Sequence, residues 1–122
     1  MSILEKTVEI FLFRNKIKYE KQKRFSFIGK KSLDFYLPDY NIAIECQGVQ
    51  HYLNSSGSFD CAAQKKRDFL KKKECNENGI DVVYYTNHKH KKIVPKKYKK
   101  NTFYNLILMK EYIEKNGVQQ KT

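Results

Sequence analysis

Apolar residues, interrupted by single polar ones, make two short strand-like runs, Leu33 to Leu37 and Ile42 to Gln47, separated by Pro38-Asp39-Tyr40-Asn41. Two such runs joined by turn residues predict a β-hairpin. A turn centred near Asp39 and Tyr40 sets Asp34 opposite Glu45. Ala43, Glu45 and Gln47 then share one face, with Ile42, Ile44 and Cys46 on the other. Around this hairpin the pattern changes to helical spacing. Ser2-x-x-Glu5 precedes apolar residues at 4, 8, 11 and 12, which predicts a capped helix through about Asn15. Tyr19 to Phe27 predicts a first strand turning at Ile28-Gly29-Lys30. Phe59 to Asn78 predicts a long helix stopped by Asn78-Gly79 in a left-handed cap. Ile80 to Tyr85 predicts a buried strand, and about Thr102 to Lys115 a last helix stopped by Asn116-Gly117. The order is α-β-β-β-α-β-α, an α/β arrangement around one mixed sheet.

The chain has 122 residues, enough for one domain (1–122) with a single modest core. Lys and Arg number 25 against 13 acids, a net charge of +12, which suits a polyanionic partner, nucleic acid above all. No apolar run is long enough for a membrane span, and the N-terminus lacks the basic-then-apolar order of a secretory signal. Three widely spaced cysteines, Cys46, Cys61 and Cys75, make neither a disulfide framework nor a paired metal motif, so the expected location is cytoplasmic. His88-x-His90 with Cys61 or Cys75 fits no standard zinc spacing.

Charge gives the hairpin its chemical interest. Two acids side by side on adjacent strands repel each other unless something positive stands between them. A divalent metal is the simplest candidate. Basic side chains lie on either side in sequence: Lys65, Lys66, Arg67 and Lys71 on the long helix, then seven lysines in 89–100, including Lys91, Lys92, Lys96 and Lys97. These are the expected phosphate contacts, with Tyr52 and Tyr98 free to stack on a base. Each run alone also reads as a solvated face.

The strings Leu33-Asp34-Phe35-Tyr36-Leu37-Pro38, Ile44-Glu45-Cys46-Gln47-Gly48-x-Gln50-His51-Tyr52, Lys66-Arg67-Asp68-x-x-Lys71, Cys75 and Asn78-Gly79-Ile80 closely resemble small PD-(D/E)XK nucleases. Within that superfamily they are most similar to the very-short-patch-repair-like branch and the homing-type enzymes with the EDxHD signature. The resemblance covers roughly residues 2 to 86. It implies a restriction-endonuclease-like αβββαβ core, a mixed sheet flanked by helices, followed here by a C-terminal helix. It also implies a Mg²⁺- or Mn²⁺-dependent endonuclease that hydrolyses phosphodiester bonds in DNA, with RNA the less favoured substrate. A homodimer or a partner protein would supply site specificity.

Carried over residue by residue, the signature falls on Glu5, Asp34, His51 and Asp68. Glu45 and Gln47 take the E-x-K positions, with Gln in place of Lys. The implied metal ligands are Asp34, Glu45 and the backbone carbonyl of Cys46, an oxygen set suited to hard cations. His51 would act as general base, and Asp68 or Glu5 would orient it or assist the metal. The amide of Gln47 can orient water but cannot neutralise charge, which leaves Lys65, Lys66, Arg67 or Lys71 to do so. Other roles stay open for the same residues. Asp34 and Glu45 can be exposed strand acids paired with lysines, Glu5 can simply complete the helix cap, His51 can end a strand, and Asp68 can be an ion-pair partner. The alternative function is a catalytically inactive basic module binding DNA or RNA on the same fold.

Overall fold

In this computed structural model, which describes residues 2–47, 59–86 and 101–117 (backbone only for 59–65), the Ser2 hydroxyl accepts the Glu5 N–H at 3.1 Å and starts α1, Ile3–Arg14. Val8 and Leu12, one turn apart, are its buried stripe. The helix ends at Asn15, and Lys16 takes a left-handed conformation (φ 57°) that lets the Ile17 N–H reach back to the Leu12 carbonyl at 3.0 Å.

The first strand is shorter than the expected Tyr19 to Phe27. Strand β1 covers Glu20–Lys23, with Gln22 at φ 50°, and Ser26–Ile28 form a 3₁₀ turn. Aromatic packing takes the chain out of the ladder: Phe25 stacks on Phe27 with centroids 5.0 Å apart and meets Tyr36 edge-on at 5.1 Å. Gly29, at φ 64°, makes the expected turn.

Strands β2 (Leu33–Leu37) and β3 (Ile42–Cys46) form the predicted antiparallel hairpin, with Phe35 opposite Ile44, Tyr36 opposite Ala43 and Leu37 opposite Ile42. Asn41, at φ 54°, closes the turn. Helix α2 (Phe59–Glu77) ends at Gly79 (φ 79°), as the Asn-Gly pair predicts, and the Ile80 N–H bonds the Cys75 carbonyl at 2.9 Å. Strand β4 (Asp81–Tyr85) then lies parallel to β3. A two-residue strand that the pattern does not announce, β5 (Thr102–Phe103), pairs parallel with β4. Helix α3 therefore starts later than expected, at Leu106–Asn116, where the Asn105 side chain accepts the N–H groups of Ile107 and Leu108.

The result is an α/β fold with a mixed five-stranded sheet in the order β1-β2-β3-β4-β5. One face packs Val8 and Leu12 of α1 and Met109 and Ile113 of α3 over Phe35, Leu37, Ile42, Ile44 and Val83. The other packs Cys75 of α2 over Tyr36, Ala43, Val82 and Tyr84. Alternation along β2 and β3 thus assigns faces as expected, with Ala43 on the α2 side and Ile42 and Ile44 on the α1 side. No helix among the described residues is long and apolar enough to cross a membrane.

The end of α3 abuts the turn of the central hairpin. Gly117 is there for space rather than for a left-handed backbone, since its φ is −69°. A Cβ at this position would lie 2.6 Å from the Ile113 carbonyl oxygen and 2.7 Å from Tyr40 Cβ. Neither obstacle is the far end of a flexible side chain. Gly117→Ala is therefore expected to lower stability by about 1–3 kcal/mol, read as a lower urea midpoint at unchanged slope. A variant as stable as the parent would show that the helix end is not seated against the turn.

Candidate functional site

Beyond Phe35 and Ile44 the paired strands bring Asp34 and Glu45 together, and each carboxylate turns onto the other strand's backbone. The Asp34 N–H donates to Glu45 Oε2 at 2.8 Å, and the Cys46 N–H donates to Asp34 Oδ2 at 2.8 Å. The two acids are thus fixed by reciprocal bonds to a charged acceptor, stronger than neutral ones. They open onto a cavity of about 490 Å³. Its walls come from every element around the end of the hairpin: Glu5 from α1, Lys30 and Lys31 from the turn before β2, Gln47 from the end of β3, and Arg67, Asp68 and Lys71 from α2.

Helix α2 supplies the cation that the acids require. The Lys71 ammonium forms an ion pair with Glu45 Oε1 and also donates to the Ser32 carbonyl at 3.0 Å. Both partners are largely shielded, with Glu45 7% and Lys71 16% exposed at the side chain. Asp68, one turn earlier on the same face, is buried. Lys31 pairs with Glu74 at 2.9 Å and ties the turn before β2 to the same helix. Of the four cations that sequence offered as substitutes for a lysine at position 47, Lys71 is seen in contact with the hairpin acids, through Glu45. Lys66 and Arg67 are exposed, Arg67 lines the cavity, and the side chain of Lys65 lies outside the described residues.

Gln47 is buried and its backbone is fixed on both sides. Its N–H donates to the Tyr85 carbonyl at 3.0 Å, and its carbonyl accepts from Thr86 Oγ1 at 2.6 Å. Glu5 completes the helix cap, with the Ser2 hydroxyl donating to its Oε1 at 3.2 Å. Its N–H is held by Ser2 Oγ while the residue lines the cavity. Cys46 turns its thiol to the α1 face, where burial, then the charges of Asp34, Glu5 and Glu45, push its ionisation far up. His51, Tyr52, Lys91, Lys92, Lys96, Lys97 and Tyr98 lie outside the described residues.

Sequence reasoning missed Lys30 and Lys31. They follow Gly29, two and three positions after the short 3₁₀ turn ends at Ile28, and a Gly-Lys-Lys step just before Asp34 is the signal that marks them.

The donor chemistry suits a hard divalent cation. Asp34 and Glu45 offer carboxylate oxygens from adjacent strands, and Mg²⁺ is commonly held by one or two carboxylates together with water. Among the described residues no group of three His, Cys, Asp or Glu side chains forms a cation cluster, although Glu5 and Asp68 line the same cavity.

Burial, followed by the charge of Asp34, pushes the Glu45 carboxyl up from its ordinary 4.5 to about 7. Lys71 and the Asp34 N–H act in the opposite direction and are outweighed. Burial also works against the Lys71 charge, but Glu45, Asp68 and Asp34 more than offset it and raise the ammonium overall. Glu45 therefore holds its proton more tightly in the folded chain than in the unfolded one. Its contribution to stability is complete below about pH 4.5 and is lost as pH rises through about 7. In urea unfolding followed against pH, Glu45→Gln is expected to remove that downward slope whatever its effect on absolute stability. A slope identical in both proteins would mean that this carboxyl does not titrate in a buried setting.

Compared with known proteins, the chain matches no family model and no curated protein.

Proposed function

We propose that the protein is a metal-dependent endonuclease that hydrolyses phosphodiester bonds in DNA, and that the cavity at the end of the β2–β3 hairpin is its active site. The observation that carries this reading is the juxtaposition of Asp34 and Glu45, in register across two strands, with Lys71 delivered between them and the α2 layer. Opposed acids with a buried cation are an unfavourable way to fill a surface cleft, because each charge loses hydration on burial. Phosphodiester hydrolysis makes use of that arrangement: acids to hold a cation, a lysine to meet the phosphate, and an amide to orient water.

In this reading Asp34 and Glu45 hold Mg²⁺ or Mn²⁺, with the Cys46 carbonyl as a further oxygen. When bound, such an ion supplies electrophilic stabilisation of charge on the phosphoryl group. The remaining tasks fall to the chain's own residues. Lys71 faces the negative charge that grows on the phosphate, in place of a lysine at position 47. Gln47, held rigid by Tyr85 and Thr86, orients the attacking water. Asp68 keeps Lys71 charged from the next turn of the helix. His51 is the general base. Lys30, Lys31 and Arg67 at the rim guide the backbone of the nucleic acid toward the cleft, and the net charge of +12 draws it in. One such site cuts one strand per visit, so double-strand cleavage takes a second visit or a second copy. Free Cys46 and Cys75 suit a reducing cytoplasm.

The test is conversion of supercoiled plasmid to open circles by purified protein. Nicking is expected with Mg²⁺ or Mn²⁺, none with EDTA, none with Asp34→Asn, and a loss of about a hundredfold with His51→Ala. Asp34→Asn keeps an acceptor for the Cys46 N–H, so the hairpin is retained. Nicking that survives EDTA or Asp34→Asn would overturn the reading. A plasmid that is retarded but never cut under either metal would make the protein a basic binding module.

A further inference from the structure

Lys71 is bound more closely than a phosphate-facing lysine needs to be. Its ammonium is paired with Glu45 Oε1 and donates to the Ser32 carbonyl. Glu45 Oε2 is taken by the Asp34 N–H and Asp34 Oδ2 by the Cys46 N–H. Three of the four carboxylate oxygens of the pair are therefore engaged by donors from the chain itself. The hairpin site already has a positive charge, and it is attached to α2 by a flexible stem.

A divalent cation seated between Asp34 and Glu45 would face that ammonium across a poorly solvated gap, where like charges repel strongly. Both cannot use Glu45. Lys71 has somewhere to go, because its stem is long, its Ser32 contact lies on the cavity wall, and Asp68 is one turn away on the same helix face. Asp68 has interactions of its own, so what Lys71 lacks after leaving Glu45 is a counter-charge in direct contact, and an ammonium stripped of its partner in a shielded site is costly. A phosphate entering the same cavity supplies that charge.

We infer that Lys71 is a built-in counter-ion that a divalent cation must displace from Glu45, and that the displaced ammonium is received by the phosphate of the nucleic acid. This rests on the reading of Asp34 and Glu45 as a cation site. Cation and phosphodiester then favour each other's binding, each by the same factor. In the free protein the cation binds weakly, and the site becomes competent only when both ligands are present. The arrangement keeps the cleft from holding a reactive cation in the absence of DNA.

Two measurements on the full chain test it, neither of which reads activity. The first is titration calorimetry with Mn²⁺ in the absence of DNA. Lys71→Met is expected to bind Mn²⁺ about tenfold more tightly than wild type. Lys73→Met removes the same charge from an exposed position on α2 and is expected to stay within about twofold. The second is reductive methylation of wild-type lysines, located by mass spectrometry, which needs no variant to fold. Lys71 is expected to be protected without metal, to become reactive with Mn²⁺ alone, and to be protected again when an uncleavable phosphorothioate duplex is added with Mn²⁺. If Mn²⁺ binds wild type in an Asp34-dependent way while Lys71→Met binds no tighter and Lys71 reactivity does not respond, the displacement inference falls and the cation site stands. If Mn²⁺ binding is absent, or indifferent to Asp34→Asn, the cation site itself falls and the inference goes with it.

Discussion

Two like charges held side by side at the end of a buried hairpin are the constraint around which the rest of the molecule is arranged. Register alone brings Asp34 and Glu45 together, since Phe35 opposite Ile44 leaves them no other place. Everything nearby answers the resulting repulsion. Two backbone N–H groups are withdrawn from the strand ladder to hold the carboxylates, a lysine is brought from a separate helix, and Glu45 is left with a raised affinity for protons. The crossover from β3 to the parallel strand β4 through α2 brings this about, because it lays Asp68 and Lys71 over the same sheet face that Glu45 and Gln47 occupy.

The layers divide the labour. The α1 and α3 face is almost wholly aliphatic and aromatic, and it stabilises the sheet by burial of Val8, Leu12, Ile42, Ile44, Met109 and Ile113. The α2 face is polar toward one end. Lys72 illustrates how closely it is fitted: its ammonium donates to the Val82 carbonyl at 3.0 Å and lies 5.6 Å from the centre of the Tyr84 ring. Adjacent lysines on one helix thus do different things, Lys72 bracing a strand and Lys71 facing the acids.

The hairpin was legible in the sequence because alternation, a Pro-Asp-Tyr-Asn turn and a fixed two-residue period leave one register that buries Ile42 and Ile44. The choice of faces followed from the same period, and so did the convergence of Asp34, Glu45 and Gln47. The caps at Ser2 and Gly79 were legible from single residues with a known backbone role. Strand β5 was not, since Thr102–Phe103 is too short to show alternation and exists through its pairing with Tyr84 and Tyr85. The early end of β1 depends on the rings of Phe25 and Phe27 meeting Tyr36 of the next strand, a contact made only once the sheet is formed. Which cation meets the acids was not settled by charge alone: α2 carries basic residues on several sides, and its docking on the sheet brings Lys71 to Glu45. The spacing of Asp68 and Lys71, one turn apart, was the available clue.

Cys46 contributes to the site with its backbone, while its side chain lies in an environment that suppresses thiol chemistry. Oxidants and electrophiles attack the thiolate, and burial beside three carboxylates withholds that form. The cysteine next to the acids is therefore chemically quiet, and oxidative stress has no easy purchase on the strand that carries Glu45. The negative field that creates the cation requirement also gives this part of the fold its resistance to covalent damage.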